Sequence, residues 1–372
     1  MLLFRENPWD ALKQFRDETK GWLFGYLGYD LKNYIESLYS QNSDPVEAPD
    51  LYMMNPGVLI EITDGDWNII KGDIPSREVA QNTFLPDTVT VSDFKPTVDE
   101  QVYLQMIERA KQDIAEGEYY EINLTHQMSG NLRGQPLQLY QKMKKAGPVP
   151  FGAYLSFGDY FTNWNICCSS PERFLAKKGQ RVFSQPIKGT VKRGTTEGED
   201  KRLKKWLATS PKNRAENLMI VDLVRNDLGR IARKGSVRVS DLFEIQTFET
   251  VHQMVSTVQA ESDDYHPVDI IRSCFPMGSM TGAPKISAMR SIEELENYRR
   301  GIYSGSIGYF SPDGNFDFNV VIRTAVIKRD KLFYSVGGAI TSDSDPQSEW
   351  EETLLKARAL TNTFATSSNL KK

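Results

Sequence analysis

Apolar and polar positions change their spacing several times along the chain. Pro8 to Lys20 has a helical pattern, whereas Trp22–Tyr29 and Val58–Thr63 read as short strands. Residues 76–98 are polar and punctuated by prolines, which predicts a connection over the surface. Beyond residue 98, helix and strand patterns interleave. Gln101–Glu116 predicts a helix stopped by Gly117, and Tyr119–Met128, Ala153–Phe157, Phe161–Cys168 and Arg181–Ser184 predict strands. Ser210 followed by Pro211 starts another helix, with serine as cap and proline at the first helical position. Later strands are expected at Ile302–Phe310, Asn319–Ile327 and Lys331–Val336, and Asp345-Pro346 opens a last helix by the same logic. Antiparallel-type strands among long helices favour an α+β layered fold, and no glycine-rich βαβ unit argues for a Rossmann sheet.

On the last helix, Glu349, Glu352 and Lys356 share one face, while Trp350, Leu354 and Ala357 occupy another that can pack inward. Acidic residues near a helix start also complement its dipole, and spacing alone does not separate this from a ligand set. Glu216 lies in line with Ile220, Leu223 and Asp227, a partly apolar stripe that turns it toward the core and toward a cation. Three glutamates converging on a hard ion would suit magnesium. The stretch Gly278–Lys285 lacks the spacing of a nucleotide-binding loop, and Pro284 removes an amide such a loop would use. Its small residues before a helix could still seat an anion. Lys188 sits beside Gly189 just after a strand; most lysines are solvated, but one held in a partly dry site could lose its proton and act as nucleophile or base. Glu172, in Ser170-Pro-Glu172, offers a carboxyl that could act as general acid. Arg323, inside an apolar run, should hold a carboxylate in a bidentate way, whether from protein or ligand.

The bulk numbers exclude more than they propose. The 372 residues carry 45 basic and 49 acidic side chains, mixed along the chain, so no nucleic-acid partner is expected. No stretch is apolar enough to span a membrane, and Arg5 and Glu6 interrupt the N-terminus too early for a secretory signal. Three cysteines, Cys167, Cys168 and Cys274, suggest a reduced, cytoplasmic protein.

Seven segments occur in a fixed order: SSPERF (169–174), PIKGT (186–190), RAENLMIVDLVRNDLGRI (214–231), GSMTGAPKISAM (278–289), GIYSGSIGYF (301–310), VVIRTA (320–325) and SDPQSEWEET (344–353). Together they resemble the chorismate-utilising family, which comprises anthranilate synthase component I, aminodeoxychorismate synthase component I, and the isochorismate and salicylate synthases. The resemblance covers residues 98–365, leaving 1–97 as a short N-terminal part packed on the same core and 366–372 as a tail. It implies a β-sandwich-like core of two antiparallel sheets with helices outside. It also implies magnesium on the ring carboxylate of chorismate, with Glu216, Glu349 and Glu352 as ligands and Glu172 protonating the departing 4-hydroxyl. Tyr303 and Arg323 match residues that hold the enolpyruvyl carboxylate, with Lys356 near it. Thr281, Gly282, Gly338, Gly189 and Thr190 fall at substrate-lining positions.

Lys188 directs the expected reaction. Anthranilate synthases resemble this chain but carry alanine there, and the resemblance with lysine implies attack on C2 of the ring, then ammonia at C4. The implied product is 4-amino-4-deoxychorismate, on the route to para-aminobenzoate and folate. Ammonia would come from a separate glutamine amidotransferase subunit, since the cysteines lie in no glutaminase context. Three departures accompany the match. Glu121 stands where water-adding members have a base lysine and amine-adding members glutamine; Gln253 takes the usual histidine position, beside His252; and Ala339 replaces a glycine. No strand motif for a tryptophan pocket is evident, so tryptophan inhibition is not expected. The alternatives are anthranilate synthesis, which Lys188 disfavours, and a silent partner-binding paralogue, which the intact Glu172, Glu216, Glu349 and Glu352 disfavour.

Overall fold

Ser210 and Asp345 cap their helices through side-chain oxygens that accept from the amides of Asn213 and Ser348, so Pro211–Gly229 and Pro346–Thr361 begin where their sequences predict. Gly117 closes Glu100–Glu116 in the left-handed conformation (φ 87°), which costs glycine no Cβ clash. The computed structural model describes residues 7–73, 88–158 and 164–366. Within them, two large sheets carry most of the chain.

Numbered in chain order, the strands of the first sheet run β11 (Ile187–Lys192), β13 (Val251–Glu261), β10 (Arg181–Gln185), β9 (Arg173–Lys178), β16 (Phe316–Asn319), β15 (Ser306–Phe310), β1 (Leu23–Leu27) and β2 (Leu51–Met54), with β12 (Arg238–Thr247) paired to β13. The second runs β19 (Ala365–Thr366), β5 (Thr90–Pro96), β6 (Glu121–Arg133), β18 (Lys331–Ile340), β17 (Thr324–Lys328), β8 (Trp164–Ser170) and β7 (Phe151–Ser156), with β14 (Gly282–Ala283) against β6. A separate hairpin joins β3 (Leu59–Thr63) and β4 (Asp66–Lys71). Pairing is antiparallel except between β19 and β5.

Tyr26 and Ile307 of the first sheet pack against Ile166, Val326 and Phe333 of the second, forming the layer between them. The helix Pro211–Gly229 lays Ile220, Val224 and Leu228 on the outer face of the first sheet, over Val182, Val258 and Phe318. Leu139, Met143, Ala357 and Leu360 cover the second sheet from the helices Pro136–Ala146 and Pro346–Thr361. Each fully buried aromatic or aliphatic side chain contributes about 1.5–3 kcal/mol. The α+β reading, with a β-sandwich-like core and helices outside, is borne out. The N-terminal strands β1 and β2 belong to the first sheet rather than to a unit of their own.

Three expectations shift. Within the expected connection 76–98, residues 90–96 form β5; the strand is largely polar and irregular in register, which disguised it, while residues 76–87 lie outside the described residues. Asn319–Ile327 is two strands, broken at Val320–Arg323, and Arg323 takes a left-handed φ of 50°. The strand expected at Ile302 begins only at Ser306, after a turn. Residues 161–163 of the strand expected over Phe161–Cys168 lie outside the described residues, as do 1–6 and 367–372 of the two ends.

Candidate active site

Lys188 is aimed by an irregularity. The register of β11 against β13 shifts between Ile187 and Thr190, so Lys188 and Gly189 sit in a bulge, a common way to re-aim a side chain. Gly189 has φ 87°, and a Cβ there would stand 2.9 Å from Leu207 Cδ1, which explains the glycine after the lysine. Lys188 Nζ lies 3.0 Å from Glu121 Oε1, with the two side chains 13% and 1% exposed. Glu121 opens β6, where Ala283 pairs with it. Any Cβ on Gly282 (φ 150°) would meet the Glu121 carbonyl at 2.1 Å, so Gly282 permits this close pairing.

A partly dry setting could strip the proton from Lys188, but the assembled charges here work against that. Burial does press its pKa down, but Glu121 first, then Glu216 and Glu172, outweigh burial and hold the ammonium above its ordinary range.

Glu172 behaves in the opposite way. It is 6% exposed, and burial pushes its carboxyl up to about 7, against the pull of the Ser279 hydroxyl, Lys188, the Ile187 amide and Arg323. A carboxyl half-protonated near neutrality can give up a proton, as a general acid must. Its backbone is fixed to the Arg323 segment at three points: Val320 N donates to Glu172 O (3.0 Å), Ser170 Oγ to Val320 O (2.6 Å) and Ser169 N to Arg323 O (3.2 Å). Arg323 lines a cavity of about 160 Å³ with Gln253, Ser169 and Tyr334. Its guanidinium makes no hydrogen bond or ion pair to protein among the described residues, leaving its planar fork available to a ligand carboxylate.

Gln253, not His252, faces this cavity. Its Nε2 donates weakly to Thr190 Oγ1 (3.5 Å), which places Thr190 at the cavity's edge. His252 points the other way, between Thr247 Oγ1 (2.9 Å) and Asp200 Oδ1 (3.0 Å). Thr281 is fully buried and its hydroxyl donates to Met277 and Gly278 carbonyls, while its own carbonyl receives Asn123 N. Tyr303 lies in the core, and burial raises its hydroxyl's pKa against the pull of Arg300.

The carboxylates expected to hold a metal approach from two helices. Glu216, near the start of Pro211–Gly229, and Glu349 are both raised by burial; Glu352 adds repulsion to each. Glu352 is itself pushed up by burial but held below its ordinary value by Lys356, 2.7 Å away. Lys356 Nζ also donates to Gly337 O (2.6 Å). Gly338 leaves room for this group, since a Cβ there would come within 3.0 Å of Glu349 Oε2. Among the described residues no three such side chains stand close enough to share one ion. By chemistry, though not by the spacing seen here, the donors suit magnesium. These are hard oxygen ligands that repel one another, and magnesium commonly takes one or two carboxylates and completes its shell with water and substrate oxygens.

Several site groups escaped sequence reasoning. The Ser279 hydroxyl acts on Glu172 from within the Gly278–Lys285 stretch. Arg300 is buried against Glu296 (2.6 Å) and donates to the carbonyls of Met280 (2.7 Å) and Asn123 (2.7 Å), tying the Thr281 loop to β6. The spacing of Glu296 and Arg300, four residues apart, was the available signal.

The chain carrying these side chains has relatives among known proteins. The description "chorismate binding enzyme" belongs to the family model that matches residues 4–362. Aminodeoxychorismate synthase, chloroplastic, from Arabidopsis thaliana is 45% identical over 96% of this chain, although the chain spans only 41% of that relative's length. Aminodeoxychorismate synthase component 1 of Bacillus subtilis is 38% identical over 92% of this chain and 77% of its own. Among solved structures, anthranilate synthase component I from Streptococcus pneumoniae superposes with a TM-score of 0.84 at 28% identity, covering 97% of this chain and 86% of that one. A match over nearly the whole length, on the same sheets that gather these side chains, settles the lineage: the chain belongs to the chorismate binding enzyme family.

Proposed function

We propose that the chain converts chorismate and ammonia to 4-amino-4-deoxychorismate and water, with Lys188 forming a transient covalent bond to the ring. The observation that carries this reading is the placement of Lys188 beside Glu172: a nucleophile and a carboxyl poised near neutrality share one site. Lys188 Nζ, once free of its proton, attacks C2 of the ring. The ring double bonds shift, the C4–O bond breaks, and the hydroxyl leaves as water with the proton of Glu172. Ammonia then adds at C4, the double bonds shift back, and the C2–N bond breaks to restore Lys188. The new amine, formed as an ammonium, returns a proton to Glu172, so the cycle closes.

Arg323 is the candidate holder of the enolpyruvyl carboxylate, with Gln253 beside it in the cavity and Thr190 next to Gln253; Tyr303, expected to share that task, lines a separate small cavity with Arg300 and Thr324. Glu216, Glu349 and Glu352, drawn closer together than they stand here, would hold magnesium, which would supply a positive counter-charge to the ring carboxylate. Cys167, Cys168 and Cys274 are free and buried, and burial raises each thiol above its ordinary pKa, which suits structural cysteines in a reducing, cytoplasmic setting. In this reading nitrogen therefore arrives from a separate glutamine amidotransferase subunit. No helix among the described residues is long and apolar enough to cross a membrane. The test is the identity of the amine formed from chorismate, magnesium and ammonium, with Lys188→Ala in parallel.

A further inference from the structure

A protonated lysine has no lone pair with which to attack carbon, and the Lys188 ammonium is ion-paired in this site. The proton must therefore leave before the bond to the ring forms. We propose that Glu121 is the catalytic base that takes this proton from Lys188 Nζ and returns it when the amine is released. This deepens the reaction proposed above and rests on it.

The geometry singles out Glu121 among the acids facing Lys188. Its Oε1 stands 3.0 Å from Nζ, within direct proton-transfer reach. Glu172, from the segment after β8, must keep its own proton for the leaving hydroxyl, and Glu216, on the helix opposite, makes no hydrogen bond to Nζ. Glu121 is also held in place on both sides of its strand. β18 pairs along β6 from Ile122 onward, and β14 closes on Glu121 itself through the glycine at 282. Its second oxygen, Oε2, is buried and makes no hydrogen bond within the protein. A carboxylate left half-bonded in a dry setting is a strong acceptor.

The transfer is an internal one. Moving one proton from ammonium to carboxylate turns two buried charges into a neutral amine and a neutral acid. The net charge of the pair is unchanged, and relief of the ion pair's desolvation cost offsets part of the attraction that is lost. During attack the nitrogen becomes a secondary ammonium bonded to C2; when that bond breaks, the neutral amine recovers its original proton from Glu121. No outside acid or base is needed.

The test isolates the first half-reaction. Protein, chorismate and magnesium are mixed without ammonia, and the rise in intact mass corresponding to chorismate less water is followed by rapid quench between pH 5.5 and 7. Wild type should form the adduct at a rate that changes little over this range, because the proton moves within the pair. Glu121→Gln should fall at least tenfold at pH 7 and roughly a further tenfold per pH unit below it, since the amine must now shed its proton to water. Glu121→Asp should keep the flat profile at reduced rate, which separates base chemistry from packing. Should Glu121→Gln prove unfolded by circular dichroism, the Asp profile decides: flat supports the base, sloping overturns it. Adduct formation by Glu121→Gln with wild-type rate and profile overturns the proposal, leaving the lysine mechanism intact. Lys188→Ala distinguishes the two levels. If that variant makes 4-amino-4-deoxychorismate normally from chorismate, magnesium and ammonium, the covalent reading fails and this proposal fails with it.

Discussion

Lys285 Nζ lies 2.6 Å from Asp227 Oδ2, with the two side chains 9% and 5% exposed. The lysine that ends Gly-Ala-Pro-Lys is thus an internal brace, donating also to the carbonyls of Cys274 (3.2 Å) and Pro276 (2.8 Å), and not a phosphate-binding group. Removing one partner strands a buried charge. Lys285→Met should destabilise the fold by about 3–5 kcal/mol in urea unfolding, and the double variant Lys285→Met/Asp227→Leu should regain most of that loss.

Glu172 predicts a pH limit on the alkaline side. Its carboxyl titrates at about 7, and the reaction needs it protonated, so turnover at fixed free ammonia should fall above that pH. The sign for stability runs the same way. A carboxyl whose pKa is higher in the folded than in the unfolded state loses stability as pH climbs from its ordinary value of 4.5 to about 7. Glu172→Gln should abolish turnover yet melt less steeply with rising pH than wild type. A melting profile unchanged by the substitution would contradict the raised carboxyl.

Arg323 is held in a left-handed turn with its guanidinium toward the cavity. Left-handed residues other than glycine are sparse and tend to sit at functional sites. Arg323→Lys keeps the charge but loses the planar fork, so the KM for chorismate should rise about tenfold or more, equivalent to ~1.4 kcal/mol, with a smaller change in kcat. Equal effects on KM and kcat at lower magnitude would argue for a purely structural arginine.

Magnesium should be visible without turnover. A ligand that binds only the folded state raises the melting temperature roughly with the logarithm of its concentration once that exceeds the Kd. Wild type should melt higher as magnesium is titrated in the presence of chorismate, and Glu349→Gln should lose most of that rise. If Glu349→Gln responds like wild type, the metal is not held at Glu349.

Much of the frame was legible because caps and periodicities act locally: Ser210, Gly117 and Asp345 mark helix ends without reference to anything distant. β5 was missed because its pairing with β6, rather than its own polar sequence, makes it a strand. The break at Arg323 was missed for a similar reason, since an apolar run carries no sign of a residue turned left-handed by its neighbours. At the site, Glu172 and Arg323 could be picked out by residue type, and the motif order supplied their roles. The charge state of Lys188 could not be read, because Glu121 reaches it from a strand 67 residues away. Burial alone predicts a lowered lysine pKa; only the assembled carboxylates reverse the sign.

The central claim rests on which carbon receives nitrogen and on whether Lys188 is needed. Chorismate, magnesium and a high concentration of ammonium should be incubated with wild type and with Lys188→Ala, and the products resolved by chromatography and mass. The account predicts 4-amino-4-deoxychorismate from wild type and little or none from Lys188→Ala. Anthranilate from the wild type, or undiminished 4-amino product from the variant, would contradict it.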